Sequence, residues 1–164
     1  PFLNHITAKH KTLREVGSAE QSSVILAFCP IVSRLGTDIE EALRHLKYEK
    51  PVVLVVMHHT SDPEYVVPKS SIHVKDKNIF TVDCLFFDDK GMLNCRRNDD
   101  AYDKVVQRLK EHQSSFHSQM YRKHYNQPQP QVTLLTCMRE ENEECSTDWI
   151  LCLWVCLHCG VACF

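Results

Sequence analysis

The run Val24-Ile25-Leu26-Ala27-Phe28-Cys29, closed by Pro30, decides how this chain is read. It is unbroken and apolar. A strand with one wet face alternates apolar and polar residues; a strand buried on both faces does not. The run therefore predicts a strand in a parallel sheet covered by helices. Pro51-Val52-Val53-Leu54-Val55-Val56-Met57 repeats the pattern, and its β-branched content favours strand over helix.

Between the two lies Thr37 to Lys47, where Ile39, Ala42, Leu43 and Leu46 fall on one face at helical spacing. Thr37-Asp38-Ile39-Glu40 reads as a capping box, with Thr37 as N-cap and Glu40 reaching back. Strand, helix and strand within about 35 residues make a βαβ unit, whose crossover should be right-handed. Ile79 to Phe87 is a third strand, with Phe80, Val82, Cys84 and Phe86 alternating onto one face. Asp88-Asp89-Lys90-Gly91 is a turn, from which Met92 to Cys95 returns as an antiparallel partner. Asp99 to His112 forms a second helix with Ala101, Tyr102, Val105, Val106 and Leu109 as its buried stripe. Leu13 to Val16 is a candidate short strand. The stretch from Thr60 to Asn78, about 19 residues, is long for a plain connection and reads as a functional loop or a segment with short structure of its own. The expected fold is α/β: a small, mostly parallel sheet with flanking helices and a hairpin at one edge.

Composition sets outer limits. The chain has 164 residues, 43% hydrophobic and 24% charged, with a formal net charge of -2. That suits one soluble globular domain with or without a tail, and it lacks the basic excess of a nucleic-acid protein. Four glycines and seven prolines exclude collagen-like and most low-complexity classes. Because the first residue is Pro1 rather than Met, the chain reads as an N-terminally truncated fragment or a processed product. Residues 1–112 form the expected core, 113–131 a polar Gln- and Pro-bearing linker, and 132–164 a Cys-rich apolar extension. Six of the nine cysteines fall in the last 28 residues, so the core is too cysteine-poor for a disulfide framework and is expected to be reduced and cytoplasmic.

Phe28-Cys29-Pro30-Ile31-Val32-Ser33-Arg34, Gly36-Thr37-Asp38-Ile39-Glu40, Val53-Leu54-Val55-Val56-Met57-His58-His59-Thr60 and Thr81-Val82-Asp83-Cys84-Leu85-Phe86 together resemble a family of small vertebrate α/β proteins, abundant in fish. The resemblance spans roughly residues 13 to 112. It implies a flavodoxin-like or Rossmann-like sandwich, no established activity and no catalytic residue to carry over. The Cys-rich end departs from that family.

Open parallel sheets bind ligands beyond the carboxyl ends of their strands. Here that edge presents Cys29, Ser33, Arg34, His58, His59 and Thr60, the candidate ligand-binding residues. In such a site Arg34 holds an anionic group, Ser33 and Thr60 donate hydrogen bonds, and His58 acts as acid or base. The plainer reading makes all six ordinary loop and strand-end residues. Other chemistries are disfavoured. Pro30 follows Cys29 directly and removes an amide that a thiol-phosphatase cradle needs. No G-x-G-x-x-G or G-x-x-x-x-G-K-[ST] occurs, and Asp38, Glu40 and Glu41 crowd the helix start where a phosphate would sit. His58 and His59 are strand neighbours and point to opposite faces, so they do not readily share a metal ion. Cys152, Cys156, Cys159 and Cys163 lie along one stripe of an apolar helix, which cannot close four ligands around one ion. The apolar run of 149–164 is shorter than a membrane span.

No cofactor and no metal are expected. The leading expectation is an interaction or regulatory module that works without catalysis on an unidentified protein partner. A homodimer is a second possible assembly, and membrane association through the tail a minor one. The alternative is a small-molecule-binding protein or enzyme using Cys29, Ser33, Arg34 and His58.

Overall fold

Two strands buried on both faces need cover on both, and the architecture supplies it. The computed structural model describes residues 2–18, 21–46, 50–88, 90–121 and 132–138. In chain order these form α1 (Phe2–Lys9), β1 (Leu13–Glu15), β2 (Val24–Ile31), α2 (Leu35–His45), β3 (Val52–His59), a 3-10 turn at Ser70–His73, β4 (Ile79–Phe87), β5 (Gly91–Met92), α3 (Arg96–Tyr121) and β6 (Val132–Met138). One six-stranded sheet runs β1-β6-β2-β3-β4-β5. Four of its pairings are parallel and the last, β4 with β5, is antiparallel, so the protein is α/β with a mixed sheet.

The alternation of side chains along each strand sorts the core into layers. Ile25, Ala27 and Cys29 of β2 and Val52, Leu54 and Val56 of β3 pack under Ile39 and Ala42 of α2. Val24, Leu26 and Phe28, with Val53, Val55, Met57, Val82, Cys84 and Phe86, face α1 and α3 on the other side. There Phe2 of α1 meets Phe28 edge-on at 5.4 Å and lies 4.9 Å from Tyr102 of α3. A smaller cluster of Val67, Leu85, Leu93 and Cys95 fills the space beneath the long loop after β3.

Several sequence expectations shift by a turn or more. α2 begins at Leu35 with Arg34 as its N-cap and no side-chain cap bond, so Thr37 is not the N-cap and no capping box forms. Asp38, a first-turn residue, does that work instead: its Oδ2 accepts the amides of Val32 and Ser33, each at 2.9 Å. A carboxylate that bonds the amides leading into a helix holds the chain at the entry angle and also suits the positive end of the helix. α3 starts three residues before Asp99 and runs past His112 to Tyr121. The sheet also extends further along the chain than the division after 112, since Val132–Met138 lies between β1 and β2. The antiparallel return after β4 is only Gly91–Met92, and Gly91 takes the positive φ of 66° that its tight turn requires. Residues 139–164, with Cys145, Cys152, Cys156, Cys159 and Cys163, lie outside the described residues.

Candidate functional site

The parallel pairing of β2 with β3 sets Ile31 beside His58 and Cys29 beside Val56, so the carboxyl ends of these strands do gather the predicted residues along one edge. Their side chains do not converge. Cys29 is buried under α2, with its thiol 3.6 Å from the Asp38 carbonyl oxygen. Ser33 gives both its donors to Asp38: the amide to Oδ2, and the hydroxyl to Oδ1 at 2.7 Å. Arg34 is exposed at the helix start. Thr60 Oγ1 accepts the Asp62 amide at 3.1 Å, closing a local turn.

The two histidines part, as neighbours on a strand must. His59 is exposed, flanked by the rings of Phe86 and Phe87, and faces Asp88 Oδ1 across 3.0 Å. His58 turns inward, only 8% exposed, and its Nε2 sits 2.9 Å from Asp83 Oδ1. Ser70, fully buried in the 3-10 turn, donates its hydroxyl to the same oxygen and its amide to Oδ2 at 3.3 Å. Burial alone would raise the Asp83 carboxyl pKa. The hydrogen bonds from His58 and Ser70, with the charge of His58, outweigh it and hold Asp83 below its ordinary value. Asp83 is therefore an acceptor only, and His58 Nε2 carries the hydrogen between them. Serine, aspartate and histidine meet here with the aspartate in the middle. The Ser70 hydroxyl is spent on the carboxylate, whose lowered pKa makes it a weak base, and the His58 imidazole bonds Asp83 rather than Ser70, so the arrangement clamps the loop to β4 rather than activating a nucleophile.

A cleft of about 450 Å³ lies elsewhere and contains none of the six predicted residues. Its floor is the edge of β4 at Thr81–Asp83. One wall is the loop after β3, contributing Tyr65 and Lys69; the other is the first turns of α3, contributing Arg96, Arg97 and Lys104. Arg97, Ala101 and Lys104 recur at helical spacing and so share the face that looks into the cleft. Among the described residues none of Lys69, Arg96, Arg97 and Lys104 enters an ion pair. The acidic side chains in the lining are Glu64, Asp83 and Asp100, and Asp83 is already engaged by His58 and Ser70.

The cleft exists because β5 is short. It covers β4 only at Phe86 and Phe87. Just beyond, Asn98 stands in for a strand: its Oδ1 accepts the Leu85 amide at 2.8 Å, and its Nδ2 donates to the carbonyls of Leu85 at 2.8 Å and Leu93 at 2.7 Å. Earlier in β4 the edge is open to the cleft.

None of these features was reachable from sequence pattern. Ser70, Asp83 and Asn98 come from three separate segments, and no local spacing joins them. Only the polar, over-long loop before β4 pointed to this side of the molecule. Among the described residues no group of three or more His, Cys, Asp or Glu side chains is arranged to hold a metal ion. No described helix is long and apolar enough to cross a membrane. No family model, curated protein or solved structure matches the chain.

Proposed function

We propose that the chain is a binding module that engages a protein partner without turnover, through the cleft beside β4. The observation that carries this reading is the set of four cationic side chains around that cleft, unpaired among the described residues, above a strand edge with open main-chain groups. Unspent charge and unspent backbone donors at one place are what a partner's polar surface answers. The alternative, a small-molecule site at the strand ends, has less support, because Ser33 and His58 already spend donors within the fold.

The same proposal takes the scaffold as doubly wound and flavodoxin-like. In its favour, helices cover both sheet faces and the chain, after stepping from β2 through β3 to β4, returns to the far side of β2 as β6. A cytosolic setting accords with the burial of Cys29, Cys84 and Cys95 in the core, where burial pushes the Cys84 thiol well above its usual range and leaves it inert as a nucleophile.

The test is comparative capture on the full chain and on a Lys69→Glu/Lys104→Glu variant, both residues being exposed. A partner should bind the wild type, bind again when purified, and be lost with the variant. Equal retention by both would move the interface off the cleft, and turnover of a captured small molecule would overturn the module reading.

A further inference from the structure

We infer that the cleft takes an extended acidic peptide, which adds to the sheet as a strand along β4. This rests on the reading of the cleft as the binding surface and names what binds there.

The main-chain parity of β4 carries the argument. A strand residue presents its own N–H and C=O on one side, and successive residues alternate. Phe86 O accepts the Thr60 amide at 2.9 Å, and Asn78 O the Val52 amide at 3.0 Å, so even-numbered groups point toward β3. Leu85 O accepts the Leu93 amide at 3.0 Å, and Leu85 N–H goes to Asn98, so odd-numbered groups point away from β3. The N–H and C=O of Thr81 and Asp83 therefore face the cleft, and no hydrogen bond to them is made among the described residues. The Thr81 hydroxyl is also shielded and without a partner there. Strand edges left open in this way accept an extended segment whose backbone completes the ladder.

The walls choose the side chains. An added strand would point alternate residues to opposite faces. On the face of Val82 and Cys84 stands α3, with Arg97 and Lys104 in the lining. These are seven residues apart, roughly 10 Å along a helix axis. Carboxylates at alternate strand positions, about 6.7 Å apart, fall within that reach. On the other face stand Lys69 and the half-exposed ring of Tyr65, which suit an apolar or polar residue between the acids. The partner is thus a segment in which acidic residues alternate with residues such as valine or threonine.

The probe is a labelled peptide of about eight residues, alternating glutamate and valine and blocked at both ends, titrated into the full chain by fluorescence anisotropy. A peptide with lysine in place of glutamate is the control. Thr81→Pro is the decisive variant: it deletes the outward N–H while leaving the bonds to β3, and proline is tolerated where a strand N–H faces out. We expect saturable binding of the glutamate peptide, none of the lysine peptide, at least about tenfold weakening in Lys69→Glu/Lys104→Glu, and loss in Thr81→Pro whose circular dichroism matches wild type. Amide exchange should slow at Thr81 and Asp83 on binding. Binding lost in the lysine variant but kept in Thr81→Pro, or matched by inorganic pyrophosphate in both chains, would overturn strand addition and leave the cleft as an anion site. Binding unchanged in both variants would remove the cleft reading itself. A dimer of the unliganded chain that Thr81→Pro dissolves would assign the edge to a second copy instead. Should Thr81→Pro fail to fold, unchanged exchange at Thr81 and Asp83 in peptide-saturated wild type would overturn the inference.

Discussion

Asn98→Ala tests how the open strand edge is terminated. Asn98 is 1% exposed and makes three short hydrogen bonds to the main chain of Leu85 and Leu93. Truncation to alanine orphans the Leu85 N–H outright and leaves the Leu93 carbonyl short of a donor; the Leu85 carbonyl keeps the Leu93 amide. A buried orphan costs about 1–3 kcal/mol and a lost neutral hydrogen bond about 1 kcal/mol. The sum is about 3 kcal/mol, a large share of a domain stability of roughly 5–15 kcal/mol. For a chain of this length that is a fall in Tm of roughly 6–12 °C. Urea denaturation of wild type and variant, followed by circular dichroism, reads it as a lower midpoint at unchanged slope. Asn98→Asp separates the roles of the two ends of the amide. It keeps the acceptor for Leu85 and loses the donor, so it should be destabilised at neutral pH and recover partly in acid, where the protonated side chain donates again. A change in Asn98→Ala of less than about 0.5 kcal/mol, the usual range for a surface substitution, would refute the strand-surrogate role.

Three further outcomes are expected. Asp83 titrates below its unfolded value of 3.8, so its bonds to His58 and Ser70 contribute stability above that pH, which is lost as pH falls through the lower folded value; Asp83→Asn should flatten the urea midpoint between pH 5 and pH 3. His10 and His112 are both lowered from 6.5, chiefly by burial, with Lys110 opposing a charge on the first and Arg108 on the second. The unfolded chain therefore binds more protons just below pH 6.5, stability falls as pH drops through that range, and replacing both histidines with glutamine should reduce the slope. A Cβ on Gly36 would sit 3.1 Å from His73 Nδ1. Gly36→Ala should thus be near neutral alone but stabilise by about 0.5–1 kcal/mol in a His73→Ala background, where helix propensity acts without the clash; additive effects in that cycle would remove the contact.

What was legible in the sequence is what burial writes locally. Val24–Ile31 and Val52–His59 carry continuous apolar runs because helices cover both their faces, and the stripe from Ala101 to Leu109 marks α3 because one face meets the sheet. α1 was not expected. Only Phe2 and Ile6 of its eight residues are buried, too few to set a period. The residues Val132 to Cys137 showed as a short apolar run, but an insertion between β1 and β2 leaves no local trace. The expected strand-end site rested on topology alone. That rule gives the position of side chains, and it says nothing of Asp38 or Asp83 having already taken the donors of Ser33 and His58. The cleft depends on a shortfall, the two-residue length of β5, and a shortfall has no motif.

The place of β6 has a consequence for how the molecule is made. Leu13–Glu15 pairs with Val132–Leu134 and with no other described strand, and Val24–Met57 with its flanks can assemble long before that partner exists. Emerging from a ribosome at roughly 5–20 residues per second, the chain holds β1 idle until β6 arrives. The β2-α2-β3-β4 segment is therefore the expected early cooperative unit, and closure of the sheet is a late, long-range step that slows folding. During that interval the β2 edge that β6 will cover is exposed to any other extended segment nearby.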